Sequence, residues 1–179
     1  MIIGLAGYAR AGKSTVAQML ADDFGFRQWA FADAVRESLE VLNPIVGVTL
    51  KNPIEPLRLN DVIAAYGWEG YKQSYWGQEI RRLMQHMWTE VGRNIIGEDS
   101  WVNKMPAHRP MVISDVRMDN EAEAVRNAGG IVVLIERPGV TSLNKHESEK
   151  LPDKRFIEHV LVNDGSLGDL REGIHKIMD

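Results

Sequence analysis

The sequence predicts an α/β fold built as a single domain, and three observations carry that prediction. The opening "MIIGLA" is a short apolar run that breaks at glycine and gives way to a helical pattern. Two later runs, "MVISDVR" (111–117) and "IVVLIERPG" (131–139), are continuously apolar, as strands buried on both faces are. Helical patterns separate these runs, and strands that alternate with helices make a parallel sheet. A chain of 179 residues, 44% hydrophobic and 26% charged, can bury one sizeable core and reads as globular rather than disordered.

Taken in order, Ile2 to Ala6 form the first strand, and "STVAQMLADDF" from Ser14 places Val16, Met19, Leu20 and Phe24 at helical spacing. "FRQWAFAD" (26–33) reads as a second strand ending at Asp33, followed by a helix through "AVRESLEVL". Between about Asn43 and Trp76, prolines and glycines break the pattern around one short helix candidate, "LNDVIAAYG". This is an irregular, partly helical insertion, where a substrate-specific subdomain would sit. From Gln78 a longer helix is predicted, with Ile80, Leu83, Met84, Met87 and Val91 as its core stripe and Arg81, Gln85 and Trp88 on the other face. A strand ending in Asp115, a helix over "NEAEAVRNAGG" and the strand from Ile131 follow, then a charged segment from Val140 to Phe156. The chain closes with a strand, an Asn-Asp-Gly turn and a last helix, without an internal repeat.

The chemistry begins at "GYARAGKST" (7–15). Gly7, Gly12, Lys13 and Ser14 match G-x-x-x-x-G-K-[ST], in which backbone N–H groups and a helix N-terminus turn toward a phosphate. Lys13 would bridge the β- and γ-phosphates and the Ser14 hydroxyl would ligate Mg²⁺, with Ala11 and Thr15 completing the loop. Asp115, at the end of an apolar strand, is the second metal partner in the Walker-B role. Motors, switches, kinases and transporters all use such a loop, as would a non-catalytic module that holds ATP without transferring its phosphate, so it names no function by itself. A GTPase base clamp would need N-K-x-D directly after a strand, and "NKHE" (144–147) lies well beyond one, so a switch is disfavoured.

Arginines stand where a second anion could be held: Arg10 in the loop, Arg36 after the second strand, Arg58 in the insertion, Arg81 and Arg82 on the helix, Arg117 and Arg137 after strands. If the acceptor is a phosphate monoester, with a second pKa of about 6, its oxygen is already ionised and no general base is needed. If it is a hydroxyl, as for shikimate or dephospho-coenzyme A kinases, Asp33 is the candidate base. Asp33 could equally cap the following helix.

"GYARAGKST", "FADAVRESL", "IRRLMQHMWTEVGRNIIGEDSWV" (80–102), "VISDVRMDNEAEAVRNAGGIVVLIERPG" (112–139) and "VNDGSL" (162–167) together resemble the phage-type deoxynucleoside monophosphate kinases, a branch of the P-loop nucleoside monophosphate kinases. The resemblance implies a three-layer P-loop NTPase fold with a five-stranded parallel sheet and flanking helices. It implies ATP and Mg²⁺ at the loop and transfer of the γ-phosphate to a deoxynucleoside 5′-monophosphate. Carried over by position, Arg36, Arg81, Trp101, Asp115, Arg117 and Glu121 look like monophosphate-site residues; Asp33, Arg58, Arg82 and Gln85 are substrate-binding candidates from the reading of the residues themselves. Arg10 and Arg137 fall on the transferring phosphate, Asn163 to Ser166, with Gly165, edge the adenine, and residues 137–156, with Lys145, His146, Lys150, Lys154 and Arg155, form a lid. Without the resemblance, Trp101 reads equally well as a core residue and the charged segment as a solvated loop. The pattern departs at Trp88, which stands where the family has a small residue before Thr89.

The formal charge of −4 argues against bulk binding of polymeric nucleic acid, and the absence of cysteine excludes disulfides and thiolate metal sites. The six-residue apolar start is too short for a membrane span or signal core, so the expected setting is cytoplasmic, in the host if the chain is phage-encoded. A monomer and a homodimer both remain open.

Overall fold

Parallel pairing organises the first of two contact units. The computed structural model describes residues 1–49, 53–141 and 151–178. Residue contacts divide it into one unit of Met1–Phe31 with Met105–Asp179 and a second of Ala32–Lys104.

In the first unit, strands β1 (Ile2–Ala6), β2 (Arg27–Trp29), β5 (Met111–Ile113), β6 (Ile131–Glu136) and β7 (His159–Val162) form one sheet in the order β2-β5-β1-β6-β7. Every pairing is parallel, with Ile3 opposite Val112, Gly4 opposite Val132 and Leu134 opposite Val160. The central strands are buried along nearly their whole length, which explains their unbroken apolar sequences. Ile3 and Leu5 pack with Val16 and Leu20 of α1 (Lys13–Phe24) and Leu170 and Ile174 of α6 (Leu167–Met178). On the opposite face, a side chain at Gly4 would meet Val125 of α5 (Asp119–Asn127). Helices on both faces of a parallel sheet make the three layers that the sequence predicts. β1 sits at the centre and its connection leads past β5 to β2, so the crevice at its carboxyl end lies at the switch point where α/β sheets bind ligands. α1 stops at Gly25, whose φ of 70° permits the left-handed turn, and Phe26 N–H closes it on Leu20 O at 3.2 Å.

Two expectations shift here. The second strand ends at Trp29 rather than at Asp33, because α2 (Phe31–Leu42) begins at Phe31, whose N–H is taken by the Asp115 carboxylate at 2.8 Å. Asp33 therefore lies in the first helical turn, not at a strand end. The β5 strand closes at Ile113, leaving Asp115 two residues beyond it.

The second unit packs Val35, Leu39, Val46, Leu59, Val62, Tyr71, Ile80 and Trp101 into a separate core. Its insertion is more regular than the sequence suggests. β3 (Ile45–Val48) and β4 (Pro56–Arg58) pair antiparallel, followed by α3 (Leu59–Gly70), a 3-10 turn at Tyr71–Gln73 and α4 (Gly77–His86). The long helix expected from Gln78 does not continue as one α-helix: Met87–Ile96 widens into a π-helical segment. Widening changes the period, so the core stripe of Ile80, Leu83, Met84 and Met87 does not extend to Val91, and Trp88 packs toward the core instead of sharing the face of Arg81.

Candidate active site

The loop between β1 and α1 is built by backbone constraint. Gly7 (φ 145°) passes so close to β6 that a Cβ would lie 2.5 Å from Ile135 O, and Gly12 (φ 111°) leaves as little room beside Asn163. Arg10 also adopts a left-handed φ, 67°, which is uncommon for a side-chain-bearing residue and turns successive amides inward as an anion nest does. Asn163 Nδ2, from the end of β7, donates to Ala11 O at 2.9 Å and ties the turn carrying Gly165 to the loop. The first turn of α1 has neither a side-chain cap nor an acidic residue, and its N-terminal amides carry the partial positive charge of the helix end.

Lys13 folds back across this loop, its Nζ donating to Gly7 O at 2.6 Å and Tyr8 O at 2.8 Å. Burial, and then the charge of Arg117, lower its pKa to about 8, while Asp115 opposes the shift. The charges of Arg117 and Asp115 thus both act on Lys13, which places the three side chains in one neighbourhood. Ser14 is exposed and Thr15 half-buried beside them. Glu121, in the first turn of α5, is fully enclosed, and its Oε2 accepts from Arg117 N–H at 2.8 Å and Met118 N–H at 3.1 Å. It fixes the backbone from which the Arg117 side chain springs. Arg10 and Arg137 are exposed. A cavity of about 270 Å³ lies beside the loop, lined by Tyr8, Ala11, Arg137, Pro138 and Val162 among others. Tyr8, whose carbonyl receives Lys13, is a residue the motif pattern treats as variable and therefore passes over.

The other candidates lie in the second unit. Asp33 Oδ1 accepts from Arg36 Nη1 at 2.8 Å. Tyr71 is buried, which raises its pKa, and the charges of Arg36 and Arg81 act on it. Arg58 donates to Asn43 O at 2.8 Å and shapes the turn into α3, and Arg82 is held by Glu79 on the exposed side of α4. Gln85 is half-buried on the same helix. Trp101 is 5% exposed, stacks on Trp88 at 6.1 Å and donates its indole N–H to Trp88 O at 2.9 Å. Of the charged segment, Asp153–Phe156 docks on α5, where Asp153 N–H donates to Asp119 at 2.8 Å. Lys145, His146 and Lys150, the centre of the expected lid, lie outside the described residues, as does "NKHE".

Strand, glycine loop and helix in this arrangement, with a lysine laid across the loop at the switch point, make a P-loop protein, the class that cradles nucleotide phosphates there. The model of the family described as deoxynucleotide monophosphate kinase matches residues 59–174. The chain belongs to that family. The deoxynucleoside-5′-monophosphate kinase of Escherichia phage T5 aligns at 26% identity over 100% of this chain and 96% of its own. The deoxynucleotide monophosphate kinase of Escherichia phage RB69 is 36% identical over 55% of this chain, an alignment spanning 44% of the phage protein. A shikimate kinase from Bacteroides thetaiotaomicron superposes over 99% of this chain and 96% of its own, with a TM-score of 0.43 and 13% identity. No helix among the described residues is long and apolar enough to cross a membrane.

Proposed function

We propose that this chain transfers the γ-phosphate of ATP to deoxynucleoside 5′-monophosphates, yielding ADP and deoxynucleoside diphosphates, in the cytoplasm. Family membership supports the acceptor class, and the observation that carries the donor half is Lys13 held over the phosphate loop in the company of Asp115 and Arg117.

In this reading the amides of residues 7–15 and the Lys13 ammonium hold the β- and γ-phosphates. Ser14 and Asp115 supply a hydroxyl and a carboxylate, hard oxygen donors that suit Mg²⁺ together with phosphate oxygens and water. Bound there, the ion would neutralise charge on the β- and γ-oxygens. Arg10, Arg117 and Arg137 serve the transferring group, and Asn163 and Gly165 border the donor base. Arg36 and Arg81 hold the acceptor's 5′-phosphate, with Asp33 orienting Arg36. The acceptor oxygen is ionised at neutral pH, so catalysis rests on alignment and charge neutralisation and requires no base. The insertion at 43–76 is the proposed specificity element.

The test is an ADP-release assay with ATP and Mg²⁺ against dAMP, dGMP, dCMP and dTMP, the matching ribonucleotides, and shikimate and dephospho-coenzyme A. Turnover on deoxynucleotides is expected. Turnover confined to the hydroxyl acceptors would overturn the reading.

A further inference from the structure

The acceptor reading gives Arg36 its task without explaining why a long, flexible side chain should stand ready for a phosphate. Its surroundings in the second unit supply the answer. The Arg36 guanidinium lies over the Trp68 ring, 5.6 Å from the centroid, while its Nη1 donates to Asp33 at 2.8 Å. Its Nε is enclosed and has no hydrogen-bond partner among the described residues. A guanidinium that forgoes a hydrogen bond to lie on an indole is held there by its cage rather than by its own preference.

Trp68 is fixed in turn on two sides. Its indole N–H donates to Glu40 Oε1 at 2.5 Å, and Glu40 is one helical turn beyond Arg36 on α2. Its ring meets buried Tyr71 edge-on, with centroids 5.7 Å apart at 82°. The backbone just before it is unusual: Gly67 interrupts α3 with φ 68° and ψ 169°, a conformation open essentially to glycine alone. A Cβ at Gly67 would meet nothing within 4 Å, so glycine is needed there for the dihedral and not for space. The kink departs from the helical line immediately before the residue that receives Arg36.

Resting on the acceptor reading, we propose that Trp68, set by the Gly67 kink and by Glu40 and Tyr71, is a positioning residue for the acceptor monophosphate, holding Arg36 in the orientation that receives the 5′-phosphate. Trp68 touches no reacting atom; it acts through Arg36. Losing the ring frees the guanidinium to sample rotamers, which weakens the acceptor and leaves the donor untouched.

The experiment compares Trp68→Leu, Trp68→Phe, Glu40→Gln and Arg36→Ala in the full chain, measuring KM for dNMP and ATP, kcat, and equilibrium Kd for each nucleotide alone. Trp68→Leu is expected to raise dNMP KM and Kd by about tenfold, with ATP values and kcat at saturation within about twofold. Trp68→Phe, which keeps an aromatic face, is expected to restore dNMP KM to within about threefold of the parent. Donor and acceptor KM rising together, or neither rising, would overturn the proposal. Should Trp68→Leu fail to fold, Glu40→Gln decides, because it weakens the bond that fixes the indole N–H: a rise of about two- to threefold in dNMP KM alone supports the proposal, and an unchanged value overturns it. Arg36→Ala separates the two levels. If it leaves dNMP KM unchanged, Arg36 is not in the acceptor site and the underlying reading fails there; if it raises KM while Trp68→Leu does not, only the role of Trp68 falls.

Discussion

The Lys13 ammonium lies 2.6 Å from the carbonyl oxygen of Gly7, so the loop's own backbone holds the cation. Burial and Arg117 depress its pKa to about 8, so the neutral amine gains ground as pH rises through that value. A neutral amine makes a weaker bond to phosphate than an ammonium does. The Kd for ATP is therefore expected to rise above about pH 8 and to be flat there in Lys13→Met. Equilibrium titration from pH 6.5 to 9.5 checks this, and Lys13→Met is expected to lose essentially all transfer.

The same shift has a consequence for stability. Lys13 has its ordinary pKa of 10.5 when the chain is unfolded and about 8 when it is folded, so between these values the unfolded state binds more protons. Stability of the nucleotide-free protein then rises with pH across that window, relative to Lys13→Met. Melts of both proteins at pH 7.5 and pH 9.5 measure the difference; a gap that stays constant would contradict it.

Asp33 distinguishes phosphate from hydroxyl acceptors. Its Oδ1 accepts from Arg36 Nη1 at 2.8 Å, an arrangement that orients a guanidinium. Asp33→Asn is expected to change kcat by less than about threefold and to raise dNMP KM modestly, whereas loss of a general base would lower kcat by about a hundredfold or more. Steady-state kinetics on one good dNMP suffices.

Most of the first unit was legible because its signals are local. Gly7 and Gly12 are demanded by dihedrals and by the closeness of Ile135 and Asn163, and continuous apolar runs mark strands covered on both faces. The second unit was less legible because distant contacts decide it. Nothing in "MWTEVGRNII" announces a π-helix, whose Gly92 backbone is pressed by Trp101, nine residues on. Prolines at the hairpin hide the pairing of β3 with β4, and Asp33 leaves the strand end that its sequence suggests because Phe31 N–H, captured by Asp115, starts the helix early. Trp101 could be read from sequence as core or as site; the structure encloses it.

Glu121 connects folding to the site. Its enclosed carboxylate accepts two backbone N–H groups at the start of α5, one of them from Arg117. Glu121→Ala leaves those donors buried without it and is expected to destabilise by about 1–3 kcal/mol. Because the Arg117 turn loosens as well, kcat is expected to fall and dNMP KM to rise. Chemical denaturation paired with kinetics below the melt separates the two effects.

Gly92 tests whether the π-helical segment and Trp101 form one packed unit. A Cβ at this position would lie 2.3 Å from the Trp101 ring, which is already stacked on Trp88 and tied to its carbonyl by the indole N–H. The neighbouring atoms are the rigid rim of an indole rather than the end of a flexible chain, so the ring or the helix must move. Gly92→Ala is expected to destabilise by about 1–3 kcal/mol, the usual range for overpacking. For a chain of this size each kcal/mol lowers Tm by about 2–4 °C. Trp101→Phe removes the N–H bond without adding volume, and the smaller ring relieves the clash, so Gly92→Ala in that background is expected to lose less stability than it does alone. Thermal melts of the four proteins in this cycle give the coupling directly, and strictly additive losses would show that the two residues do not share their packing.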